Sequence, residues 1–154
     1  MPRRRPLSRS QQEAVRRRAQ GLCEYCHTAE QWQYVPFTVD HIMPVSQGGT
    51  GTLNNLALAC FHCNRRKADR LQATDPKNAE LVALFHPRRH RWGEHFIWSA
   101  DGLRIVGLTA IGRATIAALD LNRQRVVHIR AADIAVDRHP PLADLRQRSE
   151  ADHV

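Results

Sequence analysis

The chain has 154 residues, enough for one domain with a packed extension. It carries a formal charge of +8 and a pI near 10.3, and 21 of its 23 basic residues are arginine, so a phosphate-rich anionic partner is expected. No run approaches the roughly 18 apolar residues of a membrane span, and no apolar segment follows the basic start as it would in a signal peptide. No membrane-spanning helix is therefore expected, and a cytoplasmic location is, where cysteines stay reduced. The positive excess is spread along the chain: residues 1–75 hold 11 basic against 6 acidic side chains, and residues 76–154 hold 12 against 9.

Residues 1–7 read as a disordered basic arm, either contacting phosphates or simply solvated. A helix capped at Ser8 or Ser10 is expected to run to Ala19 and stop at Gly21, with its arginines outward. Cys23-Glu-Tyr-Cys26 forms a tight turn. Trp32 to Ile42 reads as an extended stretch broken by Pro36, with Asp40-His41 at its end. A Gly-rich loop over residues 44–52 follows. A short apolar segment, Leu53 to Ala59, then leads into Cys60-Phe-His-Cys63, and a helix is expected over residues 64–71. Further on, the pattern predicts a helix over residues 77–85, a strand over residues 92–99 paired with residues 103–108 across Asp101-Gly102, a helix over residues 109–122, and another over residues 123–136. The last dozen residues read as frayed.

Two Cys-x-x-Cys pairs at this separation are the donor set of a tetrahedral structural zinc site: Cys23, Cys26, Cys60 and Cys63. His27 offers an alternative ligand, but four thiolates already complete the tetrahedron. Between and beside the pairs lie Asp40, His41, Asn55 and Asn64. Phosphodiester hydrolysis needs a base to take a proton from water, and histidine does so near neutral pH. It also needs charge relief on the phosphate, which a hard divalent ion on oxygen ligands provides. Adjacent strand residues point to opposite faces, so Asp40 and His41 would need a bend or bulge to converge.

Taken together, Asp40-His41-Ile-Met-Pro-Val-Ser-Gln-Gly-Gly, Asn55-Leu56 and Cys60-x-x-Cys63-Asn64-x-x-Lys67 resemble the HNH endonucleases with a ββα-metal core, in the subgroup clipped by a four-cysteine zinc site. Thirteen residues separate His41 from Asn55, and eight separate Asn55 from Asn64. The resemblance implies a DNA endonuclease that leaves a 5′-phosphate and a 3′-hydroxyl. It implies that Asp40 and Asn64 hold a catalytic Mg2+ or Mn2+, that His41 is the general base, and that Asn55 orients the His41 imidazole. Asn64 stands where the family name has histidine, a style similar to phage homing and resolving enzymes, and an amide oxygen there suits magnesium or manganese. His62 and Asn54 are the competing candidates for Asn64 and Asn55. Arg65, Arg66 and Lys67 are expected either to contact nucleic-acid phosphates or to form a solvated helix face.

The second half resembles the tail of small bacterial HNH proteins and implies no chemistry; Trp92, Phe96 and Trp98 serve either base stacking or a hairpin core. The expected fold class is α+β: a small nuclease core with a basic arm and helix over residues 1–74, and an α/β extension of hairpin and helix over residues 75–154, packed on the core. The rival function is a zinc-ribbon nucleic-acid-binding protein without useful cleavage. Target sequence, nicking versus double-strand cleavage, oligomeric state and biological role have no signature in the sequence.

Overall fold

The computed structural model describes residues 5–145, so the first four residues of the expected arm and most of the expected frayed end lie outside the described residues. The architecture is α+β. Among the described residues, antiparallel strands form three two-stranded sheets, and helices flank them. The chain divides into two compact units. The first takes residues up to Leu71 together with His86–His90; the second takes Gln72–Phe85 and the chain from Arg91 onward.

In the first unit, helix α1 (Arg9–Arg18) begins at a capping box. Ser8 Oγ accepts from the Gln11 amide while Gln11 returns a bond to the Ser8 N–H, satisfying two of the helix's free donors. Val15 is its buried residue, and the helix packs on strand β2 and the turn before it. Its arginines do not all face outward as expected. Arg16 reaches Glu30 and the Phe37 carbonyl, and Arg18 donates to the carbonyls of Leu53 and Leu56. Strand β1 (Thr38–His41) pairs with β2 (Leu56–Ala59), Asp40 lying opposite Ala57 and His41 opposite Leu56. All four β2 residues are buried, which makes this hairpin the centre of the unit. Helix α2 (Phe61–Lys67) follows, starting on Cys60, whose sulfur accepts from the Cys63 amide.

The second unit corrects one expected element. Residues 77–85 are not a helix: β3 (Gln72–Thr74) pairs with β4 (Leu81–Ala83). Ala, Glu and Leu favour a helix locally, but the partner strand lies only a few residues upstream and pairing wins. Ala79 takes a left-handed φ of 61° in the connecting turn. The expected strand over residues 92–99 is half right. Trp92–His95 is one helical turn, α3, and only Phe96–Trp98, β5, pairs with β6 (Ile105–Gly107). Helices α4 (Ala110–Leu119) and α5 (Gln124–Ala135) complete the unit. Phe96 and Trp98 are buried, and Trp98 donates to Asp144 and lies under the Arg130 guanidinium, so these aromatics are hairpin core and not a stacking surface. Gly112 allows α4 to sit against the His95 carbonyl, which a Cβ there would meet at 2.1 Å.

Candidate functional site

The two cysteine turns converge. The four sulfurs lie within 4.8 Å of one another, all on buried residues, with Cys26 Sγ and Cys60 Sγ 3.8 Å apart. Four sulfurs at zinc–thiolate distance of about 2.3 Å sit about 3.8 Å from each other around a tetrahedron, so the cluster has the dimensions of a zinc site. Burial pushes the Cys23 thiol well up, and the bond shared with Cys23 pulls Cys26 well down. His27 stands outside the cluster with a left-handed φ of 58°, and His62 on α2 is not part of it either.

The first turn is pinned to β2 at its second residue. The Glu24 amide donates to the Leu58 carbonyl at 2.8 Å, and the Glu24 carboxylate accepts from the Leu58 amide at 2.8 Å. Arg88, from the returning segment His86–His90, pairs with the same carboxylate. Burial, with the nearby Arg18 charge, holds that guanidinium down at about 10.

Helix α2 lays two side chains one turn apart along β1. Asn64 Nδ2 donates to Thr38 Oγ1 at 3.0 Å, and Lys67 Nζ pairs with Asp40 Oδ2 at 3.1 Å. Thr38 and Asp40 share a face of the strand, so Asp40 and Asn64 belong to one seam. The pairing of β1 runs regularly through Asp40 and His41, the last residue of the strand, so the bulge expected there is absent. His41 is half-buried at the strand's end.

Asp40 is nearly buried. Its Oδ2 accepts from the Tyr25 hydroxyl at 2.7 Å as well as from Lys67, while Oδ1 has only a 3.5 Å contact to Lys67. Burial pushes its carboxyl above the usual range, and the charges of Lys67 and His41 and the Tyr25 bond work against that rise. Burial first, then the Asp40 charge, drive the Tyr25 phenol well up, so it remains a donor.

Lys67 is the clearest departure from expectation. It does not share the exposed face of Arg65 and Arg66 and is 2% exposed. Besides Asp40, its ammonium takes the carbonyls of Ile42 at 3.0 Å and His41 at 3.4 Å. The expected phosphate contact at Lys67 is therefore replaced by a buried clamp around the Asp40–Ile42 backbone. Asn55 also differs: its side-chain bonds go not to the His41 imidazole but to the Met43 amide and carbonyl and to the Thr50 carbonyl. Its own carbonyl accepts from the Ile42 amide at 2.9 Å, so Asn55 fixes the loop that leaves His41. Asn54 has a different role, accepting from Thr52 on the exposed side. Tyr25, Thr38, Glu24 and Arg88 were missed as site residues. The signal for Tyr25 was a large aromatic between two cysteines of a tight turn.

The HNH endonuclease family model matches residues 23–70, from the first cysteine to three residues beyond Lys67. Residues 23–70 are an HNH domain. No curated protein matches the chain. HNH nucleases act on DNA and use divalent metals, and the four cysteines inside these residues are positioned to form a metal site of the zinc type. No helix among the described residues is long and apolar enough to cross a membrane.

The donors at the β1–α2 seam also fit a hard divalent ion in kind. Both Asp40 and Asn64 offer oxygen. With Asn64 Nδ2 spent on Thr38, its amide oxygen accepts no hydrogen bond among the described residues, and Asp40 Oδ1 keeps capacity to spare.

Proposed function

We propose that the protein is a divalent-metal-dependent endonuclease that hydrolyses DNA phosphodiester bonds. The observation that carries this reading is the seam in which α2 sets Asn64 and β1 sets Asp40 on one side, at the strand end that bears His41. In this reading His41 takes a proton from the attacking water. Asn55, by holding Met43 and Thr50, keeps the loop after His41 in one conformation, so the base does not wander. Asp40 and Asn64 hold Mg2+ or Mn2+, which when bound relieves charge on the phosphate and helps the leaving oxygen. Products with a 5′-phosphate and a 3′-hydroxyl follow. Arg65 and Arg66, exposed on the last turn of α2, provide phosphate contacts beside the seam. The zinc-type cluster takes no part in the chemistry; it holds together the two segments that carry the ligands.

The test is plasmid cleavage in magnesium or manganese, with His41→Ala alongside. Nicked or linear product from the unaltered protein, and none from the variant, is the expected result. If the unaltered protein cuts no form of DNA with any divalent ion but still binds it, the protein is a zinc-clipped binding module. The pairing of Asp40 with Lys67 favours that second reading to the extent that an ammonium already answers the carboxylate.

A further inference from the structure

We propose that Tyr25 is a positioning residue for the nuclease reaction: it ties the first cysteine turn to Asp40 and keeps one oxygen of that carboxylate available to the divalent ion. This rests on the reading of Asp40 as a metal ligand. Tyr25 lies between Cys23 and Cys26 and is 1% exposed. A buried phenol hydroxyl needs a partner, and this one is given to Asp40 Oδ2 at 2.7 Å. Lys67 approaches the same oxygen at 3.1 Å and Oδ1 only at 3.5 Å. The phenol thus fixes the rotation of the carboxylate with Oδ2 doubly used and Oδ1 almost unused. Without it, the carboxylate is free to turn both oxygens onto the Lys67 ammonium, and a metal ion then meets a carboxylate already closed by a cation.

The arrangement also gives each cysteine turn one ligand to hold. The second turn carries Asn64 directly after Cys63, and the first carries Asp40 through Tyr25. The four-cysteine cluster, by joining the turns, sets the relation between the two oxygen donors.

Tyr25→Phe keeps the buried ring and removes only the hydroxyl. Zinc content is read by elemental analysis, and Mn2+ binding by electron paramagnetic resonance on protein without DNA; cleavage is then followed against manganese concentration. The variant is expected to retain its zinc, to bind Mn2+ about tenfold more weakly, and to need correspondingly more manganese for half-maximal cleavage, with a smaller loss at saturation. In an Asp40→Asn background the same substitution is expected to add nothing. A Tyr25→Phe protein that binds Mn2+ as the unaltered protein does overturns the proposal and leaves the nuclease reading standing. One that loses its zinc also overturns it, because the phenol then serves the clip and not the carboxylate. Failure of the unaltered protein both to bind Mn2+ and to cleave DNA removes the nuclease reading and this proposal together.

Discussion

Replacing Lys67 by methionine keeps most of the side-chain stem and deletes the ammonium. The structure says what is lost: the ion pair to Asp40 at 3.1 Å, and the bonds to the Ile42 and His41 carbonyls at 3.0 and 3.4 Å. The two side chains of the pair are 2% and 6% exposed, so water cannot replace what the lysine gave. Removing one partner of a buried pair costs about 3–5 kcal/mol. Tyr25 still donates to Asp40, which argues for the lower end, about 3 kcal/mol at neutral pH.

The deficit has a defined pH dependence. Burial already raises the Asp40 carboxyl, and loss of the Lys67 charge raises it further. A carboxyl raised on folding destabilises the native state while it is ionised. The deficit is therefore complete above the folded-state pKa and shrinks as the pH falls through it. Urea denaturation of zinc-loaded protein across this range, with Asp40→Asn/Lys67→Met as partner variant, measures the effect. The double variant, having no unpaired charge, should recover most of the loss. A Lys67→Met protein within 1 kcal/mol of the unaltered one, with no pH dependence in the gap, would refute the buried clamp. If such a protein also bound DNA more weakly, Lys67 would be a phosphate contact after all.

Two further outcomes follow. Cys23→Ser should leave less than one zinc per chain and abolish the cooperative melting of the first unit, because metal binding is folding energy in such clips; a normal melting curve contradicts this. Arg65→Ala/Arg66→Ala should lower the slope of log affinity against log salt by roughly 1.8 if both side chains neutralise phosphates, with zinc content unchanged, and an unaltered slope removes them from the DNA interface.

Legibility in the sequence followed the range of the forces involved. The α1 start was readable because Ser8 and Gln11 act on each other within one turn. The four cysteines were readable because the metal chemistry that unites them imposes short, fixed spacings. The β3–β4 hairpin was not, since its residues favour a helix when taken alone and pair only because a complementary strand is close by. Lys67 and Asn55 have partners other than those expected of them. Their actual contacts, to Asp40 and the His41 and Ile42 carbonyls and to Met43 and Thr50, are backbone and tertiary matters that no side-chain identity announces. Tyr25 was hidden because a Cys-x-x-Cys spacing does not announce which intervening side chain turns inward; packing of the first turn against β1 buries Tyr25 on Asp40.

The Arg88–Glu24 latch has a consequence for the order in which the protein is made. The family match ends at residue 70, yet the carboxylate that pins the first cysteine turn is answered by a guanidinium 64 residues after it. At a synthesis rate of about 5–20 residues per second, the turn emerges about 3–13 s before its latch. For the last 25 of those 64 residues the zinc-type cluster has all four thiols but not its outer fastening. A boundary drawn at residue 70 would carry the cysteine cluster into another protein and leave the fastening behind; one drawn after His90 carries both.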